Sequence, residues 1–236
     1  MAYAGEQKTL ELPAAVIPAY LEKVYWWAYV HPNAVRMFER QWLVNAILWG
    51  NFARLRDAAL EELGASVTGR SLQVACVYGN FSPMLAERIA PGGELDVVDI
   101  LPIQLGNLRK KLPASAPVAL YQRDSAALGF ADASYDQAVL FFLLHEQPEA
   151  VRTKTLSEAI RVVKPGGKVV IVDYHLPGPL HPLRYLFRPV LDWLEPFAMD
   201  LWRQDIAGWL PEGIRPEQIS KQTYYGGLYQ KLVISV

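Results

Sequence analysis

The sequence predicts an α/β fold in which helices cover a mostly parallel β-sheet. Between residues 70 and 175, short apolar segments alternate with helical ones, as in parallel strands joined by right-handed crossovers. The run QAVLFFLL at 137–144 is apolar at every position after Gln137, which is typical of a strand covered on both faces. The turns PGG at 91–93 and KPGG at 164–167 separate neighbouring segments.

The elements of this central region follow in a regular order. The last helix begins after Pro148 and ends before KPGG, which are favourable start and stop signals. The C-terminal segment YYGGLYQKLVISV at 224–236 predicts a turn at Gly226 and Gly227 and a final edge strand. The predicted strands of the central region are 71–78, 94–99, 118–122, 135–144 and 168–174, and the predicted helices are 83–90, 103–111 and 149–163.

Two aromatic helical regions flank the central one. The first carries apolar residues three or four positions apart from Val35 through Trp42 to Ala53, which predicts a helix over 35–53. The second is PLHPLRYLFRPVLDWLEPFAMDLW at 179–202. We therefore divide the chain into an N-terminal helical cap and substrate-access region, 1–69, and a cofactor-binding domain, 70–236, with a helical insertion at about 176–215.

Composition excludes several classes of protein. The 236 residues carry a net charge of −1, so nucleic acid is not expected as a partner. The one cysteine, Cys76, excludes an internal disulfide framework and fits a reducing compartment. The N-terminal residues show no basic segment followed by an apolar one, and no apolar run reaches the ~18 residues of a membrane span.

Polar residues follow each predicted strand, at the sheet edge where ligands bind in such folds. Asp99 lies 20 residues beyond Gly79, where a carboxylate can accept hydrogen bonds from the ribose of an adenosine. Asp124 can meet an adenine amino group. The residues at this edge are Tyr78, Gly79, Asp99, Asp124, Ser125, His145, Glu146, Asp173 and His175.

The segments DASYDQAVLFFLLHE at 132–146 and EAIRVVKPGGKVVIVDYH at 158–175 resemble the class I S-adenosylmethionine (SAM) methyltransferases, especially the quinone-modifying branch. The resemblance covers about residues 70–175. It implies a Rossmann-like, mostly parallel seven-stranded sheet. It also implies a SAM site that includes Gly79, Asp99, Ile100, Asp124 and Ser125.

A longer resemblance covers about residues 25–210. The segments HPNAVRMFERQWLVNAILWGNFARLRDAAL, LQVACVYGNFSPMLAERI and DYHLPGPLHPLRYLFRPVLDWLEPFAMDLW look like the RquA family of rhodoquinone biosynthesis proteins. The resemblance implies that an amino group taken from SAM replaces a ring methoxy group of ubiquinone, with the help of manganese. Candidate metal ligands are Asp124, His145, Glu146, Asp173 and His175, and candidate catalytic residues are Tyr78, His145 and Tyr174. The alternatives are a satisfied histidine for His145 and a helix cap for Asp173.

The segment SLQVACVYGN at 71–80 keeps Gly79, but the positions of a second glycine and an acid in ordinary class I methyltransferases carry Val77 and Gln73. Gln73 is neutral where an acid would favour a charged ammonium group. Val77 adds bulk where a glycine would let the backbone come close, and Tyr78 adds a ring and a hydroxyl. We hypothesise that Gln73, Val77 and Tyr78 reseat the amino-acid end of SAM so that its neutral nitrogen faces the quinone. The alternative is a degenerate loop that no longer binds SAM.

The aromatic regions also suit a membrane interface, because Trp and Tyr lie beside arginines such as Arg36 and Arg188. We expect peripheral attachment on the cytoplasmic side of the inner membrane, or on the matrix face in a mitochondrion. Packing over the sheet is the alternative role for most of these side chains. Two other functions stay open: an ordinary SAM-dependent quinone methyltransferase, and a non-catalytic quinone- or lipid-binding protein on the same fold.

Overall fold

A computed structural model describes residues 16–25 and 32–236 of the chain. Within these residues, helices alternate with strands from residue 52 onward, and a second helical stretch precedes the last two strands. The strands are β1 (Arg70–Val74), β2 (Glu94–Asp99), β3 (Val118–Gln122), β4 (Tyr135–Phe141), β5 (Val163–Tyr174), β6 (Ile219–Tyr224) and β7 (Tyr229–Ser235). The helices are α1 (Ala19–Val24), α2 (Pro32–Phe38), α3 (Gln41–Ile47), α4 (Phe52–Leu63), α5 (Phe81–Glu87), α6 (Pro102–Lys111), α7 (Glu149–Arg161), α8 (Leu183–Leu186), α9 (Arg188–Leu194) and α10 (Asp200–Arg203).

The seven strands form one sheet in the order β3-β2-β1-β4-β5-β7-β6. Strands β1 to β5 pair in parallel, and β7 pairs antiparallel with both β5 and β6. The predicted α/β fold with a mostly parallel seven-stranded sheet is therefore confirmed. The prediction of a final edge strand is wrong, because β7 lies between β5 and β6 and leaves β6 at the edge.

The central strands are buried because helices cover both faces of the sheet. In β4, Ala138 to Phe141 are at most 1% exposed, as the apolar run of the sequence predicts. Helix α4 buries residues spaced three or four positions apart, including Phe52 and Leu55. The Phe81 ring stacks on Phe141 with centroids 4.4 Å apart, and Phe52 meets Phe141 edge-on at 6.1 Å. This aromatic packing fixes the helices beside the carboxyl ends of β1 and β4.

The single helix predicted over 35–53 is wrong, because the backbone breaks twice in this segment. Arg40 is extended, with ψ 115°, and separates α2 from α3. Trp49 and Gly50 both have positive φ, 53° and 77°, and separate α3 from α4. The apolar stripe is real, but it lies on three short helices that curve around a cavity rather than on one straight helix.

The helical insertion after β5 packs against the N-terminal helices. The Trp49 ring meets Phe187 edge-on with centroids 5.9 Å apart, and Tyr20 and Tyr25 of the α1 segment contact Phe197. Among the helices of residues 16–25 and 32–236, none combines the length and apolar character that crossing a bilayer requires. The two aromatic regions therefore come together as one cover beside the sheet.

The predicted first strand, 71–78, is too long, because β1 ends at Val74. The next residue, Ala75, has φ 72°, a left-handed conformation that a residue with a Cβ adopts at a cost of about 1–2 kcal/mol. The chain reverses there and reaches α5 through Gly79, whose φ is 81°. A Cβ added at Gly79 would lie 2.9 Å from Cζ of Phe52.

We expect Gly79→Ala to destabilise the protein more than Gly92→Ala. Both glycines have φ near 80°, but a Cβ at Gly92 would meet nothing within 4 Å. Gly92→Ala should therefore cost about 1 kcal/mol from backbone strain alone. Gly79→Ala should cost about 1–3 kcal/mol more, because the 1%-exposed Phe52 ring has no room to yield. Urea unfolding of both variants measures the difference, and equal losses would contradict the packing argument.

Candidate functional site

Two cavities lie side by side at the carboxyl ends of the parallel strands. One is a narrow polar cleft beside β1, β2 and β3, and the other is an apolar cavity of about 690 Å³ beneath the helical cover. Four side chains line both of them: Cys76, Gln104, Phe142 and Glu146. Ligands bound in the two cavities would therefore be separated by single side chains.

Asp99 ends β2 and lines the cleft. Its Oδ2 accepts a hydrogen bond from the backbone N–H of Cys76 at 2.7 Å, and its Oδ1 accepts one from Leu101 N–H at 2.8 Å. Burial raises the pKa of Asp99 to about 6, although these backbone amides act to lower it. Each carboxylate oxygen retains a second lone pair, so the group can still accept the hydroxyls of a ribose.

Asp124 and Ser125 lie across the cleft, after β3. Asp124 Oδ1 accepts the N–H of Ala126 at 2.8 Å, which fixes the turn. Ser125 Oγ accepts a hydrogen bond from Gln147 Nε2 at 2.9 Å and lies 2.9 Å from Thr155 Oγ1. The Asp99 and Asp124 carboxylates can accept hydrogen bonds from the hydroxyl and amino groups of an adenosine. The apolar side chains that line the cleft can pack against its flat adenine ring. The chemistry of these residues fits SAM.

Helix α1 covers the cleft. Tyr20 and Leu21 line it, and the free volume that remains is about 60 Å³. Burial raises the pKa of Tyr20, and the nearby carboxylates of Glu146, Asp124 and Asp99 raise it further. A nucleoside-sized ligand can enter only if α1 moves outward. The helix is suited to this movement, since it has six residues and no side-chain N-cap.

The strand-to-helix turn is held by side chains that the ligand need not touch. Gln73 is fully buried, and its Nε2 donates to the Ala75 carbonyl at 2.9 Å and to Ser82 Oγ at 2.8 Å. The Gln73 Oε1 atom is buried without a hydrogen-bond partner. A carboxylate at this position could not donate to the Ala75 carbonyl. The side-chain amide of Gln73 therefore suits the left-handed backbone of Ala75, because it donates to the Ala75 carbonyl. Ala75 lies in the same turn but is not among the residues predicted from the sequence.

Glu39 joins the N-terminal helices to this turn. Its Oε1 accepts the Gly79 N–H at 3.1 Å and a hydrogen bond from Lys111 Nζ at 2.6 Å, and its Oε2 accepts one from Asn107 Nδ2. Lys111 also donates to the Gly79 carbonyl at 2.9 Å. Local sequence does not indicate a role for Glu39, because its hydrogen-bond partners lie 40 or more positions away along the chain. The Gly79 N–H therefore donates to Glu39, and Gly79 lines neither cavity.

His145 is one of the polar side chains that line the apolar cavity. Its Nδ1 lies 2.9 Å from Asp173 Oδ1, and its Nε2 lies 3.7 Å from Glu146 Oε1. Tyr174 packs edge-on against the imidazole, with centroids 4.9 Å apart. The Asp173 contact orients the ring, and Nε2 is the atom left for a ligand.

The carboxylates around His145 change its protonation. Burial acts to lower the pKa of His145, but Asp173, Glu146 and Glu195 more than offset burial, and the pKa rises to about 9. The imidazolium form is therefore the main form at neutral pH. Glu195, in the helical insertion, also lines the cavity, and burial raises its pKa. Our sequence reasoning missed Glu195 because nothing in its local sequence distinguishes it from a surface acid.

The predicted metal ligands do not form one site. Asp173 accepts the backbone N–H groups of Leu144, His145 and Tyr174 as well as contacting His145 Nδ1, so its oxygens face protein donors. His175 Nδ1 lies 2.7 Å from the Gly227 carbonyl and lines neither cavity. Across residues 16–25 and 32–236, no three His, Cys, Asp or Glu side chains converge to hold a metal. These residues do not fit a manganese site.

The predicted SAM residues divide into three groups. Val77 and Tyr78 line the apolar cavity, where the Tyr78 ring stacks on Phe38 and its hydroxyl accepts from Gln104 at 2.9 Å. Gln73 and Gly79 line neither cavity and instead shape the turn. Of the predicted catalytic residues, Tyr78, His145 and Tyr174 all line the apolar cavity. The polar cleft is lined by Asp99, Ile100, Asp124 and Ser125.

We expect the stability of the protein to fall as pH rises from about 6.5 to about 9, and His145→Gln to flatten this dependence. The pKa of His145 is about 9 in the folded protein and about 6.5 in the unfolded chain. Between pH 6.5 and 9 the folded protein therefore binds a proton at His145 that the unfolded chain does not bind. The stabilisation that this proton provides is complete below pH 6.5 and is lost above pH 9. The slope is at most about 1.4 kcal/mol per pH unit.

Urea unfolding of wild type and His145→Gln across this pH range measures the two slopes. His175→Gln is the matched control, because burial lowers the pKa of His175 and it has no carboxylate contact of this kind. Its slope should match that of wild type. A slope for His145→Gln equal to the wild-type slope would show that His145 does not carry the proton.

The chain is similar to known proteins in sequence and in fold. Residues 72–167 match the family model described as "Methyltransferase domain". The chain is 28% identical to demethylmenaquinone methyltransferase of Staphylococcus aureus over 148 residues, 63% of this chain and 60% of that protein. The chain thus spans about 60% of the length of the curated relatives it matches.

Solved structures share the fold. A SAM-dependent methyltransferase from Aquifex aeolicus covers 87% of this chain and 99% of its own, with a TM-score of 0.55 and 19% identity. An O-methyltransferase family protein from Burkholderia thailandensis covers 87% of this chain and 60% of its own, with a TM-score of 0.63 and 18% identity. The chain therefore has the Rossmann-like fold of class I methyltransferases, and the match to the methyltransferase domain model lies within this fold at residues 72–167.

Proposed function

We propose that this protein is an enzyme that uses SAM to convert ubiquinone to rhodoquinone, by replacing a ring methoxy group with an amino group. The observation that supports it best is the pair of adjoining cavities, one polar and suited to an adenosine, the other apolar and of about 690 Å³. A volume of this size holds a ring and the first part of an apolar tail. The S. aureus relative is named for a reaction on a quinone, which supports the same substrate class.

The residues of the chain have separate roles in this proposal. Asp99 and Asp124 hold the adenosine, and α1 closes over it. His145 carries a proton at Nε2 and donates a hydrogen bond to a ring oxygen, which withdraws electrons from the ring. Asp173 keeps the imidazole in place. When bound, SAM would supply the amino nitrogen; the methoxy group would leave as methanol, and the bond from this nitrogen to SAM would break by hydrolysis to the 2-oxo acid, whose two electrons would leave the aminoquinone as its quinol.

Amination rather than methylation is favoured by the turn after β1. Gln73 lines neither cavity, but it leaves the turn without a carboxylate whose negative charge would favour the charged form of an ammonium group in the adjoining cleft. Val77 and Tyr78 extend from the turn into the apolar cavity. No step of this proposal is assigned to manganese, because the described residues form no group of three His, Cys, Asp or Glu ligands. Methyl transfer to a quinone is the second candidate, favoured by the match to a demethylmenaquinone methyltransferase.

Mass spectrometry of the products distinguishes the two functions. Purified protein is incubated with short-chain ubiquinone and with SAM carrying nitrogen-15 in its amino group, with manganese present. Labelled aminoquinone is the result we expect. S-adenosylhomocysteine together with a methylated quinone would support methyl transfer instead. Neither product, with no SAM bound in calorimetry, would leave a quinone- or lipid-binding protein.

We expect the double variant Gln73→Asp with Val77→Gly to shift the products from aminoquinone toward methylated quinone. The carboxylate would hold the ammonium group charged, and a charged nitrogen has no lone pair with which to attack. Val77→Gly alone is the control, because it restores space without charge. The ratio of the two products in the same mass-spectrometric assay measures the shift. Unchanged amination by a folded double variant would contradict the role given to the turn.

A second prediction concerns His145. We expect His145→Gln to lower kcat for the quinone by about 10²–10⁴-fold, the range typical of losing a general acid. Asp173→Asn should lower kcat less and should lower the pH at which activity declines, because the carboxylate raises the pKa of His145. The pH profiles of the three proteins measure both effects. A full-rate His145→Gln enzyme would exclude proton donation by this residue.

A further inference from the structure

The apolar cavity opens to solvent through apolar side chains. Four residues of α2, α3 and the turn that follows line the cavity and are also 41% to 64% exposed. The exposed Arg40 lines the cavity beside these four apolar residues. These mouth residues are Met37, Trp42, Ile47 and Trp49.

The helical insertion extends this apolar surface. Trp193 is 82% exposed on α9, and Tyr185 and Leu186 are exposed on α8. The contact between Trp49 and Phe187 joins these helices to the mouth residues. Eight of the ten large exposed apolar side chains in the described residues lie on residues 37–49 or on the insertion, counting Leu180 before α8. Such a concentration marks an interaction surface rather than ordinary scatter.

The charges around this surface are mainly positive. Arg36 and Arg40 are exposed, and neither forms an ion pair with a side chain of residues 16–25 or 32–236. Arg188 is 65% exposed and lies 3.8 Å from Asp192. Glu39, which lies between Arg36 and Arg40 in the sequence, is paired with Lys111. The surface therefore presents unpaired arginines beside tryptophans, a combination that suits the headgroup region of an anionic bilayer.

We propose that the mouth residues and the exposed side chains of α8 and α9 dock the protein on an anionic lipid bilayer, with the cavity opening into the membrane. A lipid-borne ring would then pass into the cavity without crossing water. This inference deepens the proposed function, since it names the surface from which a lipid quinone would be taken. It also gives a physical basis for peripheral attachment at the inner membrane.

Vesicle flotation of the full chain tests the docking without any quinone or cofactor, so its failure is separate from failure of the proposed reaction. Wild type should float with vesicles rich in phosphatidylglycerol and much less with phosphatidylcholine alone. Arg36→Ala with Arg40→Ala should weaken binding about 10- to 30-fold. Lys154→Ala is the matched charge control, because Lys154 is exposed on α7, and it should bind at nearly the wild-type level.

Trp193→Ser tests the apolar part of the surface. It should reduce flotation several-fold and still turn over short-chain quinone in detergent, because Trp193 does not line the cavity. Thermal melts of each variant establish that it is folded. Wild type that stays unbound on anionic vesicles at low salt, or variants that bind as well as wild type, would overturn the proposal. So would a wild-type dimer that these substitutions dissociate while lipid binding is absent.

Discussion

The buried carboxylate of Asp173 is the contact on which the geometry of the site depends. Asp173 is inaccessible to solvent at the carboxyl end of β5, and it accepts three backbone N–H groups and contacts the His145 imidazole. A buried carboxylate is tolerated only when such donors replace water. Its contacts tie the end of β5 to the turn after β4, and they aim Nε2 of His145 at the cavity. Without Asp173, the Leu144 N–H and the His145 imidazole would both lose a buried partner.

Backbone strain is concentrated at the same edge of the sheet. Ala75 follows β1 with φ 72°, and Phe142 follows β4 with φ 55°. Both residues carry a Cβ, so each conformation costs free energy that the surrounding contacts must offset. Gln73 holds the Ala75 carbonyl, and the Phe142 N–H donates to Val172 at 2.7 Å. Phe142 lines both cavities and Ala75 lines the polar cleft, so both strained positions lie in the walls of the candidate site.

The cover over the sheet links the two cavities to each other. Helix α1 lies over the polar cleft, and α2 and α3 form the wall of the apolar cavity. Glu39 fastens the wall to the turn after β1, and the Trp49 contact fastens it to the insertion. Movement of this cover would change access to both cavities. The helices outside the sheet therefore control the access of ligands to the two cavities. Residues at the ends of the strands orient the ligands once they are bound.

Pattern and spacing in the sequence were enough to determine the alternation of strands and helices, and with it the parallel sheet and the edge where the polar groups gather. β2 and β3 were predicted to the residue, because their apolar runs end at clear turns. Asp99, Asp124 and His145 could be selected because the position of a residue at a strand end depends on local sequence alone.

Tertiary structure alone decided the rest. The predicted helix over 35–53 breaks where the backbone angles change, at Arg40 and at Trp49 and Gly50, and the internal position of β7 follows from pairing between strands far apart in sequence. Asp173 supports His145 because backbone N–H groups satisfy its carboxylate, whereas His175 is directed away from the cavities by its contact with the Gly227 carbonyl. Glu39 and Glu195 could not be found from local pattern, since their contacts are with residues many positions away. The sequence by itself determined which groups reach the sheet edge; long-range packing decided which of them face a ligand.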